Sequence, residues 1–153
     1  MTPEEISRSY DASIIVRRWL GAWIDFAVIC AILVSADRLL GNELYRNTLP
    51  LWWLLAISYF PVTEGLTGRS LGKAISATKV VDRFGQPPGI VKAIIRTLTR
   101  LIEVNPLLAG GIPAGLIVNF SKNHQRLGDM LAGTFVIKNK DLSRITRPPG
   151  TQV

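Results

Sequence analysis

Apolar positions along this 153-residue chain gather into long blocks, and charged positions crowd between them. The first block, residues 19–36 (WLGAWIDFAVICAILVSA), carries a single charge, Asp25. A spanning helix needs about 20 mainly apolar residues, so this block predicts a transmembrane segment. Arg17, Arg18 and two tryptophans mark the end expected at a membrane interface. A cleaved signal peptide is the rival, because Val34-Ser35-Ala36 resembles a small-residue cleavage site. Glu4, Glu5, Asp11 and the aspartate inside the apolar run oppose it. The second block, residues 49–66, starts aromatic and apolar, holds Pro61 as a potential kink and ends with Glu64 in its last turn. A short polar linker, residues 37–48, separates the two. The third, residues 104–121, is long enough to span but is broken by Asn105-Pro106, Gly110-Gly111 and Pro113. Gly111 and Gly115 stand at the small-xxx-small spacing that lets helices pack closely.

Between these blocks the period changes. Residues 90–102 predict an amphipathic helix, with Lys92, Arg96, Arg100 and Glu103 recurring on one side. Such a helix either lies in the membrane interface or dips into the bundle with its charges inward, and the pattern leaves both open. Residues 76–89 read as a strand and turn and residues 134–138 as a second strand, which together predict a small cytoplasmic β element. A disordered tail is expected over about residues 141–153.

Charge sharpens the picture. The chain is 48% hydrophobic with a formal charge of +7. Its basic residues flank apolar runs instead of lining a polar face, which favours a membrane protein with basic cytoplasmic loops over a nucleic-acid binder. Lys and Arg number three in residues 1–18, two in 37–48, seven in 67–103 and six in 122–153. The positive-inside rule then puts the N-terminus, the centre and the tail in the cytoplasm. The last apolar region must therefore cross an even number of times, as a hairpin over residues 92–121 or as a re-entrant loop. The single cysteine, Cys30, excludes an intrachain disulfide.

Candidate chemistry is confined to ionisable groups. GRSLGK, residues 68–73, suggests a phosphate loop, but only three residues separate Gly68 from Gly72 and Ala74 follows Lys73, so the Walker spacing fails. His124 reads as a solvated loop histidine, and neither a metal-ligand spacing nor a nucleophile–base pairing stands out. No cofactor or enzymatic role is expected. Asp25 lies seven residues beyond Arg18 on the same helix face, where a lone carboxylate costs several kcal/mol or takes up a proton. Glu64 and Glu103 raise the same issue, with Arg18, Arg96, Arg100 and Arg126 as candidate partners.

Three stretches, RRWLGAWIDFAV, TGRSLGKAISATKVVDRFGQP and QRLGDMLAGTFVIK, resemble the RDD family of bacterial and archaeal membrane proteins over roughly residues 14–138. The resemblance places the family's name-giving arginine and two aspartates on Arg18, Asp25 and Asp129. One departure is Ala77, where members often carry glycine. The resemblance implies a single all-α membrane domain of three to four transmembrane segments, multi-pass in a bacterial inner membrane. Lipid and anionic headgroups are its expected surroundings, and a homo-oligomer its expected assembly. Transport, including cation–proton exchange, is proposed within the family. On this expectation, Gly128 and Gly133 let residues 123–133 bring Arg126 and Asp129 against Arg18, Asp25 and the Arg96/Arg100 helix. Two functions then compete. One is a transporter or channel using Asp25 and Asp129 as ion-binding carboxylates, which the sequence favours slightly. The other is a non-transporting scaffold or regulatory module whose charge cluster fixes helix register. A polar pathway reaching Asp25 would favour the first, and a sealed charge cluster the second.

Overall fold

A computed structural model of the protein describes residues 1–103, 118, 121 and 123–145. The broken apolar region, residues 104–121, and the end of the tail, residues 146–153, therefore lie almost wholly outside the described residues. The architecture is mostly helical with one two-stranded sheet. Helix α1, Pro3–Arg8, is followed by two long helices, α2 at Ser13–Leu40 and α3 at Asn42–Thr67. At 1.5 Å per residue these run to about 42 and 39 Å, enough to cross a hydrocarbon layer of about 30 Å. The polar linker expected over residues 37–48 shrinks to Gly41, whose φ of 74° makes the turn. Helical backbone continues through Asp37 and Arg46 on either side of it, because polar residues beyond an apolar block still satisfy their own backbone bonds as helix. Among the described residues, α2 is the one helix long and apolar enough to cross a membrane on composition. Helix α3 is nearly as long but carries Pro50, Pro61 and Glu64.

A short helix α4, Leu71–Ile75, leads into strand β1, Thr78–Asp82. Helix α5, Gly89–Glu103, follows, then α6 at Leu127–Leu131, strand β2 at Thr134–Lys138 and a 3-10 helix at Asn139–Arg144. The strands pair antiparallel, from Thr78 opposite Lys138 to Asp82 opposite Thr134, as the sequence predicts. Ile6, Val81, Phe135 and Ile137 form a small core that fastens α1 onto this sheet, with Tyr10 packed against it. The Tyr10 hydroxyl donates to Asp141 at 3.0 Å and accepts from the Lys138 amide at 2.9 Å. Order thus continues through residues 141–145, where a tail was expected, because the buried Asp141 is held by Tyr10.

Helix α5 decides between its two expected placements. Arg96 and Thr97 are each 5% exposed, whereas Val91 is 73% and Leu98 56% exposed. The helix turns its polar face inward and its apolar face outward, the reverse of a helix on a water-soluble core. Trp19, Trp23 and Phe26 on α2 and Trp53, Leu54 and Leu55 on α3 also point outward. Contiguous apolar surface on this scale suits lipid, not water.

Candidate functional site

Two polar centres occupy the inside of this helical frame. The first is Asp25, in the middle of α2 and 1% exposed. Its Oδ1 accepts the Tyr59 hydroxyl at 3.0 Å and the Gly72 backbone N–H at 2.7 Å, and its Oδ2 accepts the Ser70 hydroxyl at 2.5 Å. The Tyr59 oxygen in turn accepts the Leu71 N–H at 2.9 Å. GRSLGK is therefore a receptor for a carboxylate on a neighbouring helix, built from the Ser70 hydroxyl and the Gly72 amide. Gly72 is required by proximity, since a Cβ there would lie 2.9 Å from the Asp25 carboxyl carbon and would also strike the Gly21 carbonyl.

The second centre is a chain of ion pairs linking five elements. Glu64 of α3 pairs with Lys73 of α4, with Arg100 at 2.9 Å and with Arg96 at 3.3 Å. Arg96 also reaches Asp129 of α6 and donates to the Thr134 hydroxyl of β2 at 2.6 Å. Asp129 pairs with Arg18 of α2 at 2.5 Å and accepts the Arg126 backbone N–H at 3.1 Å. Arg18 donates its other terminal nitrogen to the His124 carbonyl at 2.9 Å. The side chains of Glu64, Asp129, Arg96 and Arg18 are all at most 5% exposed. Arg100, nearer the edge, stacks over the Phe60 ring at 4.0 Å. Gly128 lets α6 approach this close, because a Cβ there would collide with the Thr99 hydroxyl on α5.

The electrostatics of the loop residues follow from this packing. Burial pushes the Asp129 carboxyl up, but Arg18, Arg96 and Arg126 outweigh it and hold the group well below the usual carboxylate range. Burial drives the Lys73 ammonium down, Glu64 pulls it back, Arg100 and Arg96 push it down again, and the result is about 7. Arg126 is lowered to about 9, first by burial and then by the positive charge of Arg18 and Arg100.

The expected single network of Arg18, Asp25 and Asp129 is thus divided. Arg18 and Asp129 meet, while Asp25, on the same face of α2 as Arg18, is held by neutral donors instead of an arginine. Glu64, Arg96 and Arg100 join the chain. The Arg126 side chain pairs with no carboxylate among the described residues, and the Glu103 side chain lies outside them. Tyr59, Ser70, Gly72, Lys73 and Thr134 were not anticipated. A failed Walker spacing in a Ser- and Gly-containing turn was the available signal for Ser70, Gly72 and Lys73. His124 is not a solvated loop residue, since its ring nitrogens lie 2.9 Å from the Tyr10 carbonyl and 3.3 Å from that of Val118. Among the described residues, no group of His, Cys, Asp and Glu is arranged to hold a metal ion.

The sequence model of the RDD family matches residues 12–133, most of the chain and all the residues of both centres except Thr134. No curated protein and no solved structure matches.

Proposed function

The chain belongs to the RDD family, and from that premise we propose that it is a multi-pass protein of the bacterial cell membrane acting as a non-transporting scaffold. On this reading α2 and α3 span the bilayer within a bundle of three to four spans. The two-stranded sheet, α1 and the 3-10 helix form a cytoplasmic cap that is presented to partner proteins. The observation that carries the proposal is the closure of Asp25: 1% exposed, with three donors on its two oxygens. A carboxylate that exchanges ions needs an open path in the resting state. A carboxylate that fixes helix register needs the opposite, full satisfaction without water. The test is flux in reconstituted vesicles across a panel of monovalent cations and protons. The scaffold predicts no gradient-driven flux, and Asp25→Ala that weakens the fold. Coupled flux in the wild type, lost in a well-folded Asp25→Asn, would overturn it.

Transport keeps one specific support. Lys73, held near 7 beside Glu64, is able to trade its proton within the physiological range. A transport cycle built on that pair would leave Asp25 structural and put the exchanging group on α4, and Lys73→Met would then abolish flux.

A further inference from the structure

The ion-pair chain does not balance. Among the described residues, Arg18, Lys73, Arg96, Arg100 and Arg126 face only Glu64 and Asp129. Lys73 can shed its proton, but the four arginines cannot relieve the excess in this way at neutral pH. The surplus gathers at one place, a half-open cleft between α5 and α6 lined by Arg96, Thr99, Arg100, Arg126, Gly128 and Asp129. The Asp129 carboxylate on its wall is already engaged by Arg18, Arg96 and the Arg126 amide. Glu64 likewise is shared among three cations. The Arg126 guanidinium is therefore left beside two other guanidinium groups with no carboxylate of its own among the described residues.

We propose that this cleft is an oxyanion site, and that it binds the phosphate group of an anionic phospholipid headgroup or of free phosphate between Arg96, Arg100 and Arg126. Guanidinium groups present planar forks matched to phosphate oxygens. The cleft interior, about 10 Å³, holds one water-sized group. One phosphate oxygen enters, and the remainder of the group stays in the mouth, where Arg126 reaches it. Thr99 sits at the same rim with its hydroxyl donating back to the Ile95 and Arg96 carbonyls, which leaves its oxygen lone pairs unclaimed by these bonds. The site stands whether or not the chain moves ions, because it follows from charge imbalance alone.

The test uses the purified full chain in neutral detergent and reads its thermal unfolding midpoint. Inorganic phosphate is compared with sodium chloride at matched ionic strength, and phosphatidylglycerol with phosphatidylcholine. Saturating oxyanion should raise the wild-type midpoint by about 5 °C over its matched control. A rise with phosphatidylglycerol alone assigns the site to a lipid headgroup, and a rise with both assigns it to phosphate generally. Arg126→Gln should unfold at a higher temperature than the wild type without oxyanion, because repulsion is relieved, and should lose the response. Arg126→Lys, which keeps the charge but not the fork, should respond less than the wild type. If neither oxyanion exceeds its control, or if Arg126→Gln responds as the wild type does, the proposal fails.

Discussion

Raising the pH should stabilise this protein just above neutrality, and Lys73 should be the cause. In the folded chain its ammonium is held at about 7, whereas an unfolded lysine titrates near its ordinary 10.5. Between those two values the unfolded state binds the additional proton, so stability must rise with pH there. From about pH 7 to about pH 9 the folded group goes from half to almost fully deprotonated, and the linkage integral comes to about 2 kcal/mol. The Lys73 side chain is only 12% exposed, so solvent screening trims this figure little. Glu64 does not become an orphan as the lysine loses charge, because Arg96 and Arg100 remain on it. The assay is the denaturant midpoint of the purified chain in a neutral detergent, followed across that pH range for the wild type and for Lys73→Met. The wild type should gain stability and Lys73→Met should stay flat. A flat or falling wild-type profile, or an equal rise in Lys73→Met, would refute the placement of Lys73 against Glu64, Arg96 and Arg100.

Other consequences can be measured in the same preparation. Asp129→Asn removes the carboxylate shared by Arg18 and Arg96 and should cost about 3–5 kcal/mol. Combined with Arg18→Gln it should cost clearly less than the sum of the two, and strict additivity would deny their contact. Gly72→Ala should lose about 1–3 kcal/mol, because its methyl group must push Asp25 or the Gly21 carbonyl aside, and an unchanged midpoint would count against the receptor loop. Ala77 has a φ of 54°, in the left-handed region, so Ala77→Gly should stabilise by about 0.5–1 kcal/mol, and a loss of stability would contradict that backbone. Single cysteines at Asn42 and Lys140 on a Cys30→Ser background should be labelled from outside and inside the cell respectively, and the reverse pattern would invert the topology.

The sequence carried the long helices and the strands well, because both rest on local periodicity. The apolar blocks of α2 and α3 and the short β-branched runs in TKVVD and TFVIK needed no partner to be read. Helix ends were less legible: α2 and α3 extend into polar residues up to Gly41, since a turn needs one glycine and not a polar stretch. The inward orientation of Arg96 could not be read from α5 alone, because inward and outward faces look identical in a helical wheel. It is set by Glu64 and Asp129, 32 and 33 residues away in the chain. The separation of Asp25 from the ion pairs was hidden for a related reason. Its donors are a serine hydroxyl, a tyrosine hydroxyl and a backbone amide, and no charge pattern advertises them. Ala77 stands where similar chains often carry glycine, a departure that put the local turn in doubt, yet the backbone there does adopt the glycine-favoured region.

The inverted face of α5 also imposes an order of birth. Glu64 leaves the ribosome before Arg96 does, but Asp129 follows it by 33 residues. At about 5–20 residues per second that is an interval of a few seconds. During it, α5 has an apolar face ready for lipid and an arginine face with only half of its counter-charge. If α5 enters the bilayer, bare arginine there is costly, and the helix would wait at the insertion machinery or at the headgroup level until α6 emerges. On that reading residues 127–131 would latch the helix in place during synthesis as well as pair with it in the finished protein. Chains stalled before Asp129 should stay exposed to membrane proteases, and full-length chains should become resistant as soon as that residue is released.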